Sequence, residues 1–244
     1  MTTACIVQAR IASTRLPAKV LKDLAGEPVL GHVLRRCKAI PGVDVVVCAT
    51  VDGPDGTVIE ALANRYDAPV HKGSETDVLE RYRGAARLVD ADAIVRVTSD
   101  CPLIDPVLCG DVVERRRAES AQYAANNFTW GYPHGLDCEI FTREALEAAA
   151  ETATEPYDRE HVSPWIRRHP SYKKAEVTGP GGTEAAWRWT LDFPEDLDLM
   201  RAVYRYLPPP PAMPGWREIA AVVAAHPELT TINQARSQRT GAPR

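Results

Sequence analysis

Three cations, Arg10, Arg15 and Lys19, fall within the stretch IVQARIASTRLPAKVL (residues 6 to 21), which opens like a buried strand and places Pro17 between the last two. Cations crowded on one short loop repel each other unless something anionic lies among them, and a phosphate chain meets that need through charge-assisted hydrogen bonds. Pairing with nearby surface acids is the plainer alternative. Pro17 fixes one backbone angle and so narrows the drift of Arg15 and Lys19. The stretch is neither a G-x-x-x-x-G-K-[ST] loop nor a G-x-G-x-x-G loop. Two carboxylates supply the opposite charge. Asp100, in RVTSDCPLIDP (96 to 106), directly follows an apolar strand pattern, and Asp192, in WRWTLDFPEDL (187 to 197), ends an alternating one. A strand-end carboxylate facing a triphosphate is placed to hold Mg²⁺. Capping explains Asp105 better than Asp100, and Pro194, Glu195 and Asp196 read as an ordinary helix start, which leaves Asp192 without a structural task.

The elements that would position these groups alternate. Apolar runs at Cys5 to Gln8, Val43 to Thr50, Ala68 to His71 and Ala93 to Thr98 read as strands. Between them, Pro28 to Cys37, Asp55 to Tyr66 and Asp77 to Val89 carry apolar residues at helical spacing. Such an order predicts an α/β fold of three layers, a mostly parallel sheet whose ligands sit beyond the carboxyl ends of its strands. After Pro106 the pattern predicts a helix, a strand near Gln122 to Ala125, a loop NNFTWGYPHG and a strand Leu136 to Phe141. Helices at Arg143 to Glu151 and Asp158 to Arg168, a strand AWRWTLD and a helix from PEDLDLMRAVYRYL follow. PPPPAMPG (208 to 215) reads as a stiff spacer before one more helix and a polar tail, NQARSQRTGAPR, expected to fray. The last helix has two options, a second subunit or its own chain, and a homodimer is left open. The loop NNFTWGYPHGLD has two as well: a lid or sugar platform, or plain packing.

Composition excludes some classes. With 29 basic and 33 acidic residues, net charge −4, nothing holds the chain to nucleic acid or membrane by bulk electrostatics. Arg115 to Arg117 are flanked by Glu114 and Glu119 and read as a solvated helix face. No apolar run approaches the ~20 residues of a spanning helix and no signal peptide opens the chain, so a cytoplasmic protein is expected. The six cysteines, scattered without a C-x-x-C pair, read as reduced core residues.

In order, IVQARIASTRLPAKVL, HKGSETDVLERY, TSDCPLIDP, GLDCEIF, DREHVSPWIRR and WRWTLDFPEDL resemble the spore-coat polysaccharide cytidylyltransferases, relatives of the acylneuraminate and Kdo cytidylyltransferases. The resemblance runs from about residue 4 to 206 and implies a nucleotide-diphospho-sugar transferase fold. It also implies transfer of CMP from CTP, with Mg²⁺, to an acidic sugar or related small anionic acceptor, releasing pyrophosphate. By the same resemblance Arg10, Arg15 and Lys19 line the triphosphate, Asp100 and Asp192 bind the metal, and Gly73, Ser74 and Asp77 lie near the cytidine. Gln8 and Ala9 stand with Arg10 where the sugar-acid relatives usually have Pro-Ala-Arg. Arg159 and His161 fall in the part where acceptors differ, with Arg167 and Arg168 behind them. The expected division is 1–207 for the catalytic domain and 208–244 for spacer, helix and tail. A glycosyltransferase would ordinarily show D-x-D at a strand end, whereas DAD at 90 to 92 precedes its strand. A nucleotide-binding module without catalysis would not need both aspartates.

Overall fold

In the computed structural model, which describes residues 1–236, β1 (Thr3–Gln8) lies inside the sheet, buried along all but its last residue. Its side chains divide by parity. Cys5 and Val7 enter one apolar cluster, Ala4 and Ile6 another, so the strand needs an apolar run without alternation. A short hairpin follows, β2 (Asp23–Leu24) and β3 (Glu27–Pro28), then α1 (Val29–Lys38), β4 (Val45–Val51), α2 (Pro54–Asn64), β5 (Val70–Gly73), α3 (Val78–Leu88) and β6 (Ala93–Thr98). Next come α4 (Pro106–Glu119), β7 (Tyr123–Ala125), β8 (Glu139–Thr142), α5 (Arg143–Thr152), α6 (Pro156–His161), α7 (Pro164–Arg168) and β9 (Lys174–Glu176). The last helices are α8 (Pro194–Tyr204), α9 (Trp216–Ala225) and α10 (Glu228–Ile232).

Seven strands form one sheet in the order β5-β4-β1-β6-β8-β7-β9. Its pairs are parallel except where β8 meets β6 and β7. Residues of α1, α2 and α4 cover the Cys5 face, and residues of α3, α5 and α7 cover the Ile6 face, which gives the three layers expected. Gln8 at the end of β1 pairs with Thr98 at the end of β6, so the loops after both strands leave the same edge. All six cysteines are free and buried. Arg115 and Arg117 make short-range pairs with Glu119 and Glu114 on an exposed helix face. Among the described residues no helix is long and apolar enough to cross a membrane.

Four local readings are corrected. AWRWTLD forms no strand: Ala186 ends a 3-10 turn, and the segment's pairing is a single parallel bridge, Arg188 with His134. The alternation was real, because Trp189 and Leu191 bury in a third apolar cluster, but loops rather than strands flank the segment. Asp158 to Arg168 is not one helix. Pro164 cannot continue the hydrogen-bond ladder, and Val162, at φ 70° and ψ −61°, turns the chain so that Ser163 N–H donates to the His161 carbonyl at 2.8 Å. β9 was not foreseen. The start of the tail does not fray: Asn233 is 4 % exposed, while the expectation for 237–244 falls outside the described residues.

The last helices fold back on their own chain. Trp216, Ile219, Val223 and Leu229 join Leu24, Leu103, Trp189 and Met200 in the third cluster. Asp105 ties both parts, one oxygen accepting from Leu108 N–H to cap α4 (2.9 Å) and the other from Trp216 N–H (2.6 Å).

Candidate active site

The loop after β1 and the turn after β6 meet across a cleft of about 300 Å³ at the carboxyl edge of the sheet. Gln8, Ala9, Arg10, Arg15, Lys19, Asp100, His161 and Asp192 all line it. Residues from positions 8 to 192 therefore share one wall, which requires strand order rather than sequence proximity. Leu191 N–H donates to the Asp100 carbonyl at 2.8 Å, and this bond sets the two aspartates side by side.

The centre of the cleft is an ion-pair cluster. Lys19 Nζ donates to Asp100 Oδ2 at 2.8 Å and to Asp192 Oδ1 at 3.0 Å. Arg15 reaches the same Asp192 oxygen at 2.9 Å, and Arg188 holds the other at 2.7 Å. Burial opposes ionisation of Asp100, yet the Lys19 ammonium and hydrogen bonds from Lys19 and Thr98 prevail and hold its carboxyl at about 2. For Asp192 burial and the Asp100 charge push upward, but Lys19 and Arg188 leave its pKa below the ordinary value. Burial works against the Lys19 ammonium too, and the two carboxylates raise its pKa regardless. The three groups are charged together near neutrality.

This geometry corrects one inference from the loop. Arg15 and Lys19 have carboxylate partners within the protein, so they do not by themselves require an anion. Arg10 and Arg81 do. Both line the cleft, and among the described residues neither has an ion-pair partner. Arg81 is 2 % exposed, Nη1 donates to the Ser74 carbonyl at 2.6 Å and Nε is buried without a partner. Burial, with the nearby Arg10 charge, pulls its pKa down. Gln8 Oε1 is likewise buried and unpartnered beside the cleft. Two unneutralised guanidiniums and orphaned polar atoms on one concave wall suit a polyanionic, hydrogen-bonding ligand.

Other residues fall elsewhere. Gly73, Ser74 and Asp77 do not line this cleft; the Asp77 side chain caps α3 through Glu80 N–H (3.0 Å) and pairs with Arg159. Arg159 is likewise off the wall, holding Asp77 and the Ala150 carbonyl (2.7 Å), so α6 presents Glu160 and His161 instead. Arg168 pairs with Asp158, and Arg167 lies over the Phe128 ring. NNFTWGYPHG contributes nothing to the cleft wall. At Gly135, φ +113°, a Cβ would come within 2.6 Å of the Trp189 carbonyl carbon, so the loop packs against the Arg188 segment. The polar lining residues missed from sequence are Ser13, Thr14, Arg81, Thr98, Ser99 and Glu160. Arg81 carried a signal, since it sits one turn after Asp77 on the helix whose start was singled out.

A divalent cation fits the aspartate pair on donor chemistry. Asp100 and Asp192 are hard oxygen donors whose oxygens already converge on one positive charge, the Lys19 ammonium. Among the described residues no three His, Cys, Asp or Glu side chains gather to hold a metal alone. Two carboxylates completed by phosphate and water is the usual arrangement for Mg²⁺, so an ion here would arrive with its phosphate ligand.

Comparison with known proteins agrees with the site. A family model described as cytidylyltransferase matches residues 4–207. The spore coat polysaccharide biosynthesis protein SpsF of Bacillus subtilis is 28 % identical over 237 residues, 94 % of this chain and 97 % of that protein. The 3-deoxy-manno-octulosonate cytidylyltransferase of Yersinia pseudotuberculosis is 35 % identical over 178 residues, 67 % of each chain. The structure of a cytidylyltransferase from Leptospira borgpetersenii superposes with a TM-score of 0.88 at 27 % identity, covering 99 % of both chains. With the matched segment containing every residue of the ion-pair cluster, the chain belongs to the cytidylyltransferase family and is a nucleotidyltransferase.

Proposed function

We propose that the protein transfers CMP from CTP to an acidic sugar or related small anionic acceptor, with Mg²⁺ held by Asp100 and Asp192. One observation carries this reading: Lys19 joins both carboxylates in a cleft also lined by Arg10 and Arg81, which have no ion-pair partner among the described residues. Arg10, Arg81 and the hydroxyls of Ser13 and Thr14 bind the triphosphate, and Arg15 and Lys19 follow the phosphates as charge develops on the leaving group. An acceptor oxygen bonds to the α-phosphorus, the bond from that phosphorus to the bridging oxygen breaks, and its electron pair leaves with pyrophosphate. The metal supplies neutralisation of phosphate charge and in-line orientation. Glu160 and His161 are the groups on this wall able to take the acceptor proton. The acidic acceptor is supported by the Kdo-transferring relative and by the cationic balance of the cleft.

The test is pyrophosphate release from CTP with matched acidic and neutral sugars. Acidic acceptors should be preferred, and Asp100→Asn or Asp192→Asn should lower turnover by roughly 10²- to 10³-fold, the usual cost of one charge-stabilising group. Turnover of both variants near that of the parent protein, or equal use of neutral sugars, contradicts the reading.

A further inference from the structure

Asp196 has the sequence position of an ordinary helix-start acid, yet it is 0 % exposed and is the most heavily bonded carboxylate near the cleft. Oδ1 accepts from Arg188 Nε at 3.0 Å and from Asn233 Nδ2 at 2.8 Å. Oδ2 accepts from Arg188 Nη2 at 3.1 Å and from the backbone N–H groups of Asp192 and Phe193, each at 2.9 Å. The carboxylate therefore grips Arg188 at two points and fixes the backbone of Asp192 itself. Arg188, 6 % exposed, passes its Nη2 on to Asp192 Oδ2 at 2.7 Å, and its Nη1 lies 3.3 Å from His134 Nδ1. Asn233 closes the set, its Nδ2 also donating to the Arg188 carbonyl at 3.0 Å.

We propose that Asn233, Asp196 and Arg188 are positioning residues that orient Asp192 for the metal, so that a segment outside the family-matched region 4–207 is a working part of the active site. A carboxylate with one oxygen pinned by Arg188 presents the other toward Lys19 and the cleft in a single rotamer. An Asp192 free to rotate would lose that rigidity at the moment of metal capture. Removing the Asn233 amide takes one donor from a buried carboxylate and one from the Arg188 backbone, and both losses act on Arg188. The inference rests on the reading of Asp192 as a metal ligand.

The experiment titrates Mn²⁺ into the full-length protein saturated with CTP, following free ion by electron paramagnetic resonance, and separately measures CTP affinity without divalent ion. Asn233→Ala should weaken Mn²⁺ binding about 10-fold, as loss of an outer-shell partner usually does. CTP affinity without metal should stay within about 2-fold, since the Asn233 amide bonds to Asp196 and the Arg188 carbonyl and to none of the residues assigned to the triphosphate. Arg188→Lys keeps a cation beside Asp192 but cannot span both Asp196 oxygens, so it should show the same split even if Asn233→Ala folds poorly. Thr231→Ala, exposed on α10 two residues before Asn233, should change neither quantity. Parent-like Mn²⁺ affinity in either folded variant overturns the inference. Failure of the unaltered protein to bind Mn²⁺ with CTP instead overturns the metal reading on which it rests.

Discussion

Lys19 is the residue on which the site balances, because its ammonium is the charge that the Asp100 and Asp192 carboxylates share. Asp100, its side chain 22 % exposed, is held at about 2 against an ordinary value of 3.8. A depressed carboxylate adds stability that is complete above its unfolded pKa and is lost as pH falls through the folded one. The pair should therefore contribute about 2 kcal/mol at neutral pH, fading between about pH 4 and pH 2. Urea melts of the parent and Asp100→Asn across that range should converge toward the acid end. A stability gap that stays constant down to pH 2 would show that Lys19 does not depress Asp100.

At the scale of elements, the α6–α7 turn has to be forced into place. Val162 carries a positive φ that a β-branched residue rarely adopts, and it is 0 % exposed. Just past it, Ser163 Oγ donates to Glu139 Oε1 at 2.7 Å. Glu139 also accepts from Tyr123 OH at 2.5 Å and Arg96 Nη1 at 2.6 Å, so β6, β7, β8 and the turn meet on one buried carboxylate. Burial alone would raise the pKa of Glu139, but Arg96 and its hydrogen-bond donors bring it below the ordinary value. Glu139→Gln leaves the Arg96 charge buried without its counter-ion, a loss of about 3–5 kcal/mol. It should lower the melting temperature far more than a surface change does. Because the turn follows His161, part of the activity should vanish before unfolding begins. A melting temperature equal to that of the parent would contradict this account.

For the molecule as a whole, the question is whether residues 1–207 stand alone. Trp216, Ile219, Val223 and Leu229 complete an apolar cluster that also holds Leu16, Trp189 and Leu191, next to the cleft residues Arg15 and Asp192. Removing 208–244 would bare that cluster and delete Asn233, so the shortened chain should bind a hydrophobic dye and lose near-ultraviolet dichroism. Trp216→Ala in the full chain should cost about 3–5 kcal/mol, the usual loss for a buried tryptophan, in denaturant melts. A soluble, cooperative 1–207 with unchanged activity would support the division at residue 207 and refute this expectation.

Local chemistry in the sequence determined a good deal here. Alternating apolar runs and helical spacing are short-range patterns, so the layers, the alternation of strands and helices in the first half and the strand-end positions of Arg10, Lys19 and Asp100 were legible. The ordered motifs were specific enough to name the family. What pairs with what was not legible, because partners such as Arg15 and Asp192 lie 177 residues apart. Nothing near Arg159 in sequence says that Asp77 takes its charge, 82 residues away, or that Arg81 has no ion-pair partner among the described residues. Nor does a polar tail reveal that Asn233 will be buried against Asp196. Such facts depend on which loops the sheet brings to one edge and which helices return to cover it, and only the tertiary packing decides that.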